Sequence, residues 1–175
     1  MTSEALGPDL WRLTLSEPEA EFIINVLARL GRQYQDDISR MPPALRAYWL
    51  GPISRHGAEG RAEELADSQE MLGEARLELR AERLALVENW LREYELAEQR
   101  DPWQVELSAE DRDEFVSMLN DRRMLLAAEL QVTEEDMEAD PNTITDENRR
   151  VGILEIDVLG HFILVMLGPQ IHRPS

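Results

Sequence analysis

Apolar residues along this chain first alternate and then recur at helical spacing, and each change of period marks the start of an element. Trp11, Leu13 and Leu15 alternate with Arg12 and Thr14, the period-two pattern of a short strand. Ser16-Glu17-Pro18-Glu19 follows. A serine cap answered by a glutamate three residues on, with proline in the first turn, starts a helix. Phe22, Ile23, Val26, Leu27, Leu30 and Tyr34 then fall on one side, which predicts a helix from 17 to about 39. Pro42-Pro43 stops it. Residues 40–60, punctuated by Gly51-Pro52, Gly57 and Gly60, read as a linker. One turn at 44–50 within it tucks Tyr48, Trp49 and Leu50 onto the core.

Residues 61–99 are rich in Glu, Ala, Leu and Arg and predict one long helix. Leu65, Leu72, Leu79 and Leu86 are spaced by sevens, and Leu77, Leu84, Val87 and Leu91 add a second stripe. The apolar face is therefore wider than a two-stranded coiled-coil seam and suits several neighbours. Gly73 marks a place for a kink. Asp101-Pro102-Trp103 reads as a turn, and Ser108, answered by Asp111, caps a helix that runs to about residue 130. Phe115, Met118, Leu119, Leu125, Leu126 and Leu130 form its buried face. Thr133 caps a short acidic turn, 134–138, inside an acidic loop at about 132–145, and Pro141 closes it.

In the last segment, 145–168, two periods compete, because eleven of the fifteen residues from 153 to 167 are apolar. A strand would set Leu154, Ile156, Val158, Phe162, Leu164 and Met166 against Glu155, Asp157 and His161. Length, a cap-like Thr145 with Asp146 and Glu147 behind it, and the Gly168-Pro169 stop favour a helix, which is the expectation. The fold expected over 1–175 is thus mostly α: a single-domain bundle of four to five helices with a short N-terminal strand. Phe162-Ile163-Leu164-Val165-Met166-Leu167 is apolar on every side of a helix that ends the chain. One side is expected to meet another subunit, giving a homodimer through Phe162, Val165 and Met166.

Composition narrows the chemistry. All eighteen positive charges are arginine, no lysine is present, and thirty-six carboxylates bring the net charge to −18. Schiff-base lysines and the phosphate-gripping lysine of a P-loop are excluded. Cysteine is absent, which removes thiol catalysis, zinc–thiolate sites, iron–sulfur clusters and disulfides. Residues 101–150 hold fifteen acids against five arginines, a net of −10, whereas 1–58 hold seven against six. Such a field repels nucleic acid and anionic membrane and favours protein partners with basic surfaces. Residues 1–10 contain no apolar run, so no secretory signal is expected, and a cysteine-free chain is compatible with the cytoplasm.

Candidate sites are few. Asp136, Glu138, Asp140, Asn142 and Glu147 fall near a calcium-loop register, but its sixth position, which needs the freedom of glycine, is Pro141. Asp157 and His161, four apart, share a helix face without the further ligands a metal requires, and His161 is expected to satisfy a buried hydrogen bond. His56 lies in a glycine-bearing loop and His172 in the C-terminal tail. No nucleophile elbow or phosphate-binding glycine loop occurs. Catalytic, metal and cofactor-binding residues are accordingly not nominated. The remaining signal is polar: Leu119-Asn120-Asp121-Arg122-Arg123 interrupts an apolar helix with poor helix formers. A structural network of Asn120, Asp121 and Arg123, with an arginine from a neighbouring helix, is expected there, a ligand-binding role being the alternative.

Over Leu119-Asn120-Asp121-Arg122-Arg123, continuing through Leu130-Gln131-Val132-Thr133-Glu134-Glu135-Asp136, the chain resembles an uncharacterised, mainly actinobacterial family described only as a domain of unknown function. Its members share a capped N-terminal helix, an acidic middle, an L-N-D-x-R helix and a terminal apolar helix. Arg122 stands where that family usually carries an aliphatic residue, and the terminal helix lacks its usual tryptophan. The resemblance carries over no catalytic residue. Members are often encoded beside the adaptor of the Clp protease, which implies a place near regulated proteolysis. The function expected is that of an acidic interaction or regulatory protein without catalysis. A carboxylate and histidine enzyme, metal-dependent or acting on a small molecule, and an acidic mimic of nucleic acid are the alternatives.

Overall fold

The computed structural model describes residues 1–50, 62–97 and 102–168, with the backbone alone for 62–70. In chain order the elements are β1 (Thr2–Ala5), β2 (Leu10–Leu15), α1 (Glu17–Gln35), α2 (Pro43–Leu50), α3 (Ala62–Leu96), β3 (Trp103–Ser108), α4 (Ala109–Leu130), α5 (Glu134–Glu138) and α6 (Glu147–Leu167). Short 3-10 turns occupy Ile38–Arg40 and Pro141–Thr143. The protein is mostly helical, with a small antiparallel sheet of order β1-β2-β3.

The sheet is larger than the single strand expected. Trp103, Val105 and Leu107 alternate with Gln104, Glu106 and Ser108, and β3 pairs with β2 so that Leu15 faces Trp103 and Trp11 faces Leu107. Trp103, read as part of a turn, instead opens this strand; Asp101 lies outside the described residues. One face of β2 enters the core through Trp11, Leu13 and Leu15, all buried, as alternation requires. Ser16 donates from both N–H and hydroxyl to Glu19 at 2.9 and 2.8 Å, and Ser108 donates its hydroxyl to Asp111 at 2.7 Å. Both helix starts are held by these reciprocal caps.

Arginines close three helix ends. Arg80 Nη2 donates to the carbonyls of Gln33, Tyr34 and Asp36 at 2.6, 2.9 and 2.9 Å, and so α1 stops at Gln35 and not near 39. Arg76 reaches the Trp49 carbonyl at 2.9 Å. Arg149 reaches those of Leu130 and Gln131 at 2.7 and 3.3 Å, and Gln131 leaves α4 with a positive φ of 51°. The last carbonyls of a helix lack partners of their own, and a planar cationic fork satisfies several at once.

Part of the segment read as a linker is helical. α2 starts at Pro43, where a missing N–H costs nothing, and buries Leu45 and Trp49; residues 51–60 lie outside the described residues. α3 runs through Gly73 without a break. Its buried face is Arg80, Arg83, Val87 and Trp90, while Leu72 and Leu77 are exposed, so neither stripe read from the sequence matches the packed side in full. Trp90 stacks on Phe115 at 4.5 Å and 10°. Trp49 stands edge-on to Tyr34 at 5.8 Å, with the Arg80 guanidinium 5.2 Å from its ring.

The final segment is a helix, and Asp146, not Thr145, caps it by accepting the Arg149 N–H at 3.1 Å. It packs along α4. A Cβ at Gly152 would lie 2.1 Å from Leu130 Cδ1, so glycine permits that close approach. Met166 and Phe162 are 0% and 4% exposed, and Phe162 lies 5.6 Å from Phe22. The expectation that these two form a subunit contact is corrected: α6 turns them into its own chain's core, while Val165 is half-buried. No helix among the described residues is long and apolar enough to cross a membrane.

The acidic loop is tied down by Asp136, which accepts the Thr133 N–H at 2.7 Å and pairs with Arg149. The Arg149 guanidinium, then the Thr133 N–H and hydroxyl, hold its carboxyl well below the ordinary value of 3.8. A depressed folded-state pKa stabilises the fold above the unfolded value and loses that contribution as pH falls toward the folded one. Asp136→Asn will therefore melt below the wild type at pH 7, and the gap will close below about pH 4. A gap in melting temperature that stays constant down to pH 2 would remove the ion pair from the account.

Candidate functional site

Two buried ion clusters tie the helices together. Asp121 accepts the Tyr34 hydroxyl at 2.7 Å, the Tyr48 hydroxyl at 2.6 Å and the Arg83 guanidinium at 2.6 Å. One carboxylate on α4 thereby holds α1, α2 and α3. Burial first, and then the charge of Asp121, pushes the Tyr34 phenol far above its ordinary range; burial and the hydrogen bond to Asp121 push Tyr48 the same way. Both hydroxyls stay protonated and donate. Burial alone would lower Arg83, but Asp121, Tyr34 and Glu114 outweigh it and raise the guanidinium. Three donors occupy the two oxygens of Asp121, as in a clasp and unlike a catalytic carboxylate facing substrate.

Of the residues nominated there, Asp121 sits in the network, Asn120 is exposed, and Arg123 is half-buried, with its guanidinium beside Gly160. Neither Asn120 nor Arg123 hydrogen-bonds to Asp121. Asn120 and Arg123 fall off the buried stripe that runs through Phe115, Met118, Leu119, Leu125 and Leu126. Arg122 falls on it. Its Nε donates to Glu155 Oε1 at 2.7 Å, and Arg29 Nη1 donates to Glu155 Oε2 at 2.9 Å. Arg122 and Glu155 are only 5% and 7% exposed. Helical spacing was the signal: Arg122 lies three residues after Leu119, and Glu155 lies three after Gly152 and four before Leu159.

The second cluster separates two clefts. A cavity of about 550 Å³ between α1, α2 and α4 is lined by Arg29, Arg32, Gln33, Trp49 and Arg122 among others. An apolar groove of about 420 Å³ between α1 and α6 is lined by Phe22, Val26, Arg29, Val151, Leu154, Glu155 and Val158. Arg29 borders both. His161 is exposed and does not fill the buried role expected of it; His56 and His172 lie outside the described residues. Asp157 is exposed as well. Among the described residues no three His, Cys, Asp or Glu side chains converge on one point that could hold a metal. Asp140 is occupied in capping the Asn142 N–H at 2.9 Å.

No family model matches the chain, and neither the curated proteins nor the solved structures yield a match.

Proposed function

We propose that the chain is a cytosolic, non-catalytic interaction protein whose α1/α6 groove receives an apolar helical segment of a basic partner protein. The groove carries this reading. Val151, Leu154 and Val158, at i, i+3 and i+7 along α6, are 50%, 44% and 39% exposed, and they border the groove together with Phe22 and Val26. A contiguous apolar strip on a surface otherwise crowded with carboxylates is what an amphipathic helix buries when it docks. The net charge of −18 selects the partner's sign: it accelerates approach of a basic protein and disfavours nucleic acid or an anionic membrane. The partner class to try first is the one implied by the family resemblance, a component of regulated proteolysis.

The test uses a fluorescent leucine–lysine helix with leucines at i, i+3 and i+7. Saturable anisotropy is expected, weakened by salt, abolished in Leu154→Asp, and absent for the same peptide with glutamate in place of lysine. Absence of binding, or binding indifferent to Leu154→Asp, overturns the reading. So does a species of twice the chain mass by light scattering that Leu154→Asp returns to monomer, since a second copy would then fill the groove.

A further inference from the structure

Three arginines meet at one cleft of a molecule that carries twice as many carboxylates as cations. Their charge is not cancelled inside it. Glu155 is shared by Arg29 and Arg122, so two guanidiniums divide one carboxylate, and Arg122 adds only the Gln33 side-chain oxygen at 3.4 Å. The Arg32 guanidinium has no hydrogen-bond or ion-pair partner among the described residues, and Arg32 stands exposed on the same wall. The two acids that line this cleft, Asp36 and Glu129, are both exposed and thus solvated, so they offset little of the charge of Arg122, the buried member of the three. Arg80 occupies the α1 carbonyls at the end of the cleft, which removes the negative helix terminus that would otherwise repel an anion.

The remaining wall is apolar. Met41, Leu45, Trp49 and Leu125 line it and are buried. A volume of about 550 Å³ is within the range of small-molecule sites, which combine an apolar lining with a few placed polar groups.

We propose that this cleft binds a small carboxylic acid with an apolar or aromatic body, its carboxylate on Arg32 and Arg122 and its body on the Met41, Leu45 and Trp49 wall. Arginine presents a planar fork matched to a carboxylate's two oxygens. The site is distinct from the α1/α6 groove, although Arg29 borders both.

The probe is 3-phenylpropionate, followed through the Trp49 indole N–H in ¹⁵N-resolved NMR of the full chain, with 3-phenylpropionamide and acetate as controls. A saturable shift of the Trp49 signal is expected with the acid. The amide should give none, and acetate, lacking the apolar body, a much weaker one. Arg32 is exposed, so Arg32→Gln will leave the melting temperature in place while weakening the acid about ten-fold, the loss of one charge-assisted hydrogen bond. No shift at millimolar acid, equal shifts with acid and amide, or a wild-type affinity in Arg32→Gln would each overturn the proposal.

Discussion

Replacing Asp121 by alanine will cost about 3–5 kcal/mol, because it leaves a buried guanidinium without its buried counter-charge. Arg83 pairs with Asp121 at 2.6 Å where both side chains are less than a tenth exposed. The only other ion partner of Arg83 among the described residues is Glu114, at 3.1 Å and a third exposed. Two phenols lose their acceptor in the same step. Tyr34→Phe, by contrast, removes one donor from a carboxylate that keeps two others and will cost about 1 kcal/mol. Asn120→Ala will stay within about half a kcal/mol, as exposed substitutions do. Urea unfolding of the three variants checks the order. An Asp121→Ala loss no larger than that of Tyr34→Phe would mean that Arg83 finds water or Glu114 and that the clasp is dispensable.

Much of the backbone could be read from period and punctuation. The Ser16 and Ser108 caps, the β2 alternation and the helices through α1, α3, α4 and α6 all follow from local pattern, and local rules act on local signals. What failed was tertiary. α1 ends at Gln35 because Arg80, more than forty residues away, takes its carbonyls, and no reading of residues 36–39 can contain that. β3 was hidden because Asp101-Pro102 suggested a turn, although the alternation of 103–108 was already in the sequence. A helix apolar all round must bury every side, and α4 and β1, with Phe22 of α1 against Phe162, supply that cover within the chain.

The candidate site was half legible for the same reason. Asp121 stands out as a poor helix former in an apolar helix, but its sequence neighbours do not share its environment: on a helix, Asn120 and Arg123 point away from Asp121, and residues three and four apart share its side. Arg122 and Glu155 were charged letters at core positions of two different helices, each at the spacing of its apolar neighbours. Such a pair becomes visible only when both stripes are laid against each other. Arginine suits these places because its stem packs on apolar surface while its fork reaches a fixed carboxylate or carbonyl.

The Arg122 and Glu155 pair separates what stabilises this fold from what it is kept for. Glu155→Ala will be costly, by about 3–5 kcal/mol, since Arg122 would remain buried with only the distant Gln33 oxygen. Removing both charges is a different experiment. Arg122→Met with Glu155→Leu replaces two desolvated ions by apolar side chains of similar reach, between Leu125 and Leu126 on one helix and Ile156 and Leu159 on the other. Desolvation of an ion pair roughly cancels its attraction, so the double variant will lie within about 1 kcal/mol of wild type or above it. Arg29 is half exposed and will turn to water without penalty. If the cleft is a carboxylate site, the same double variant will have lost the cation at its base and will no longer shift the Trp49 signal with 3-phenylpropionate. Stability kept and ligand lost would mean that these charges are held for recognition at little benefit to folding. A double variant as unstable as Glu155→Ala would instead make the pair a structural necessity of the α4 and α6 contact.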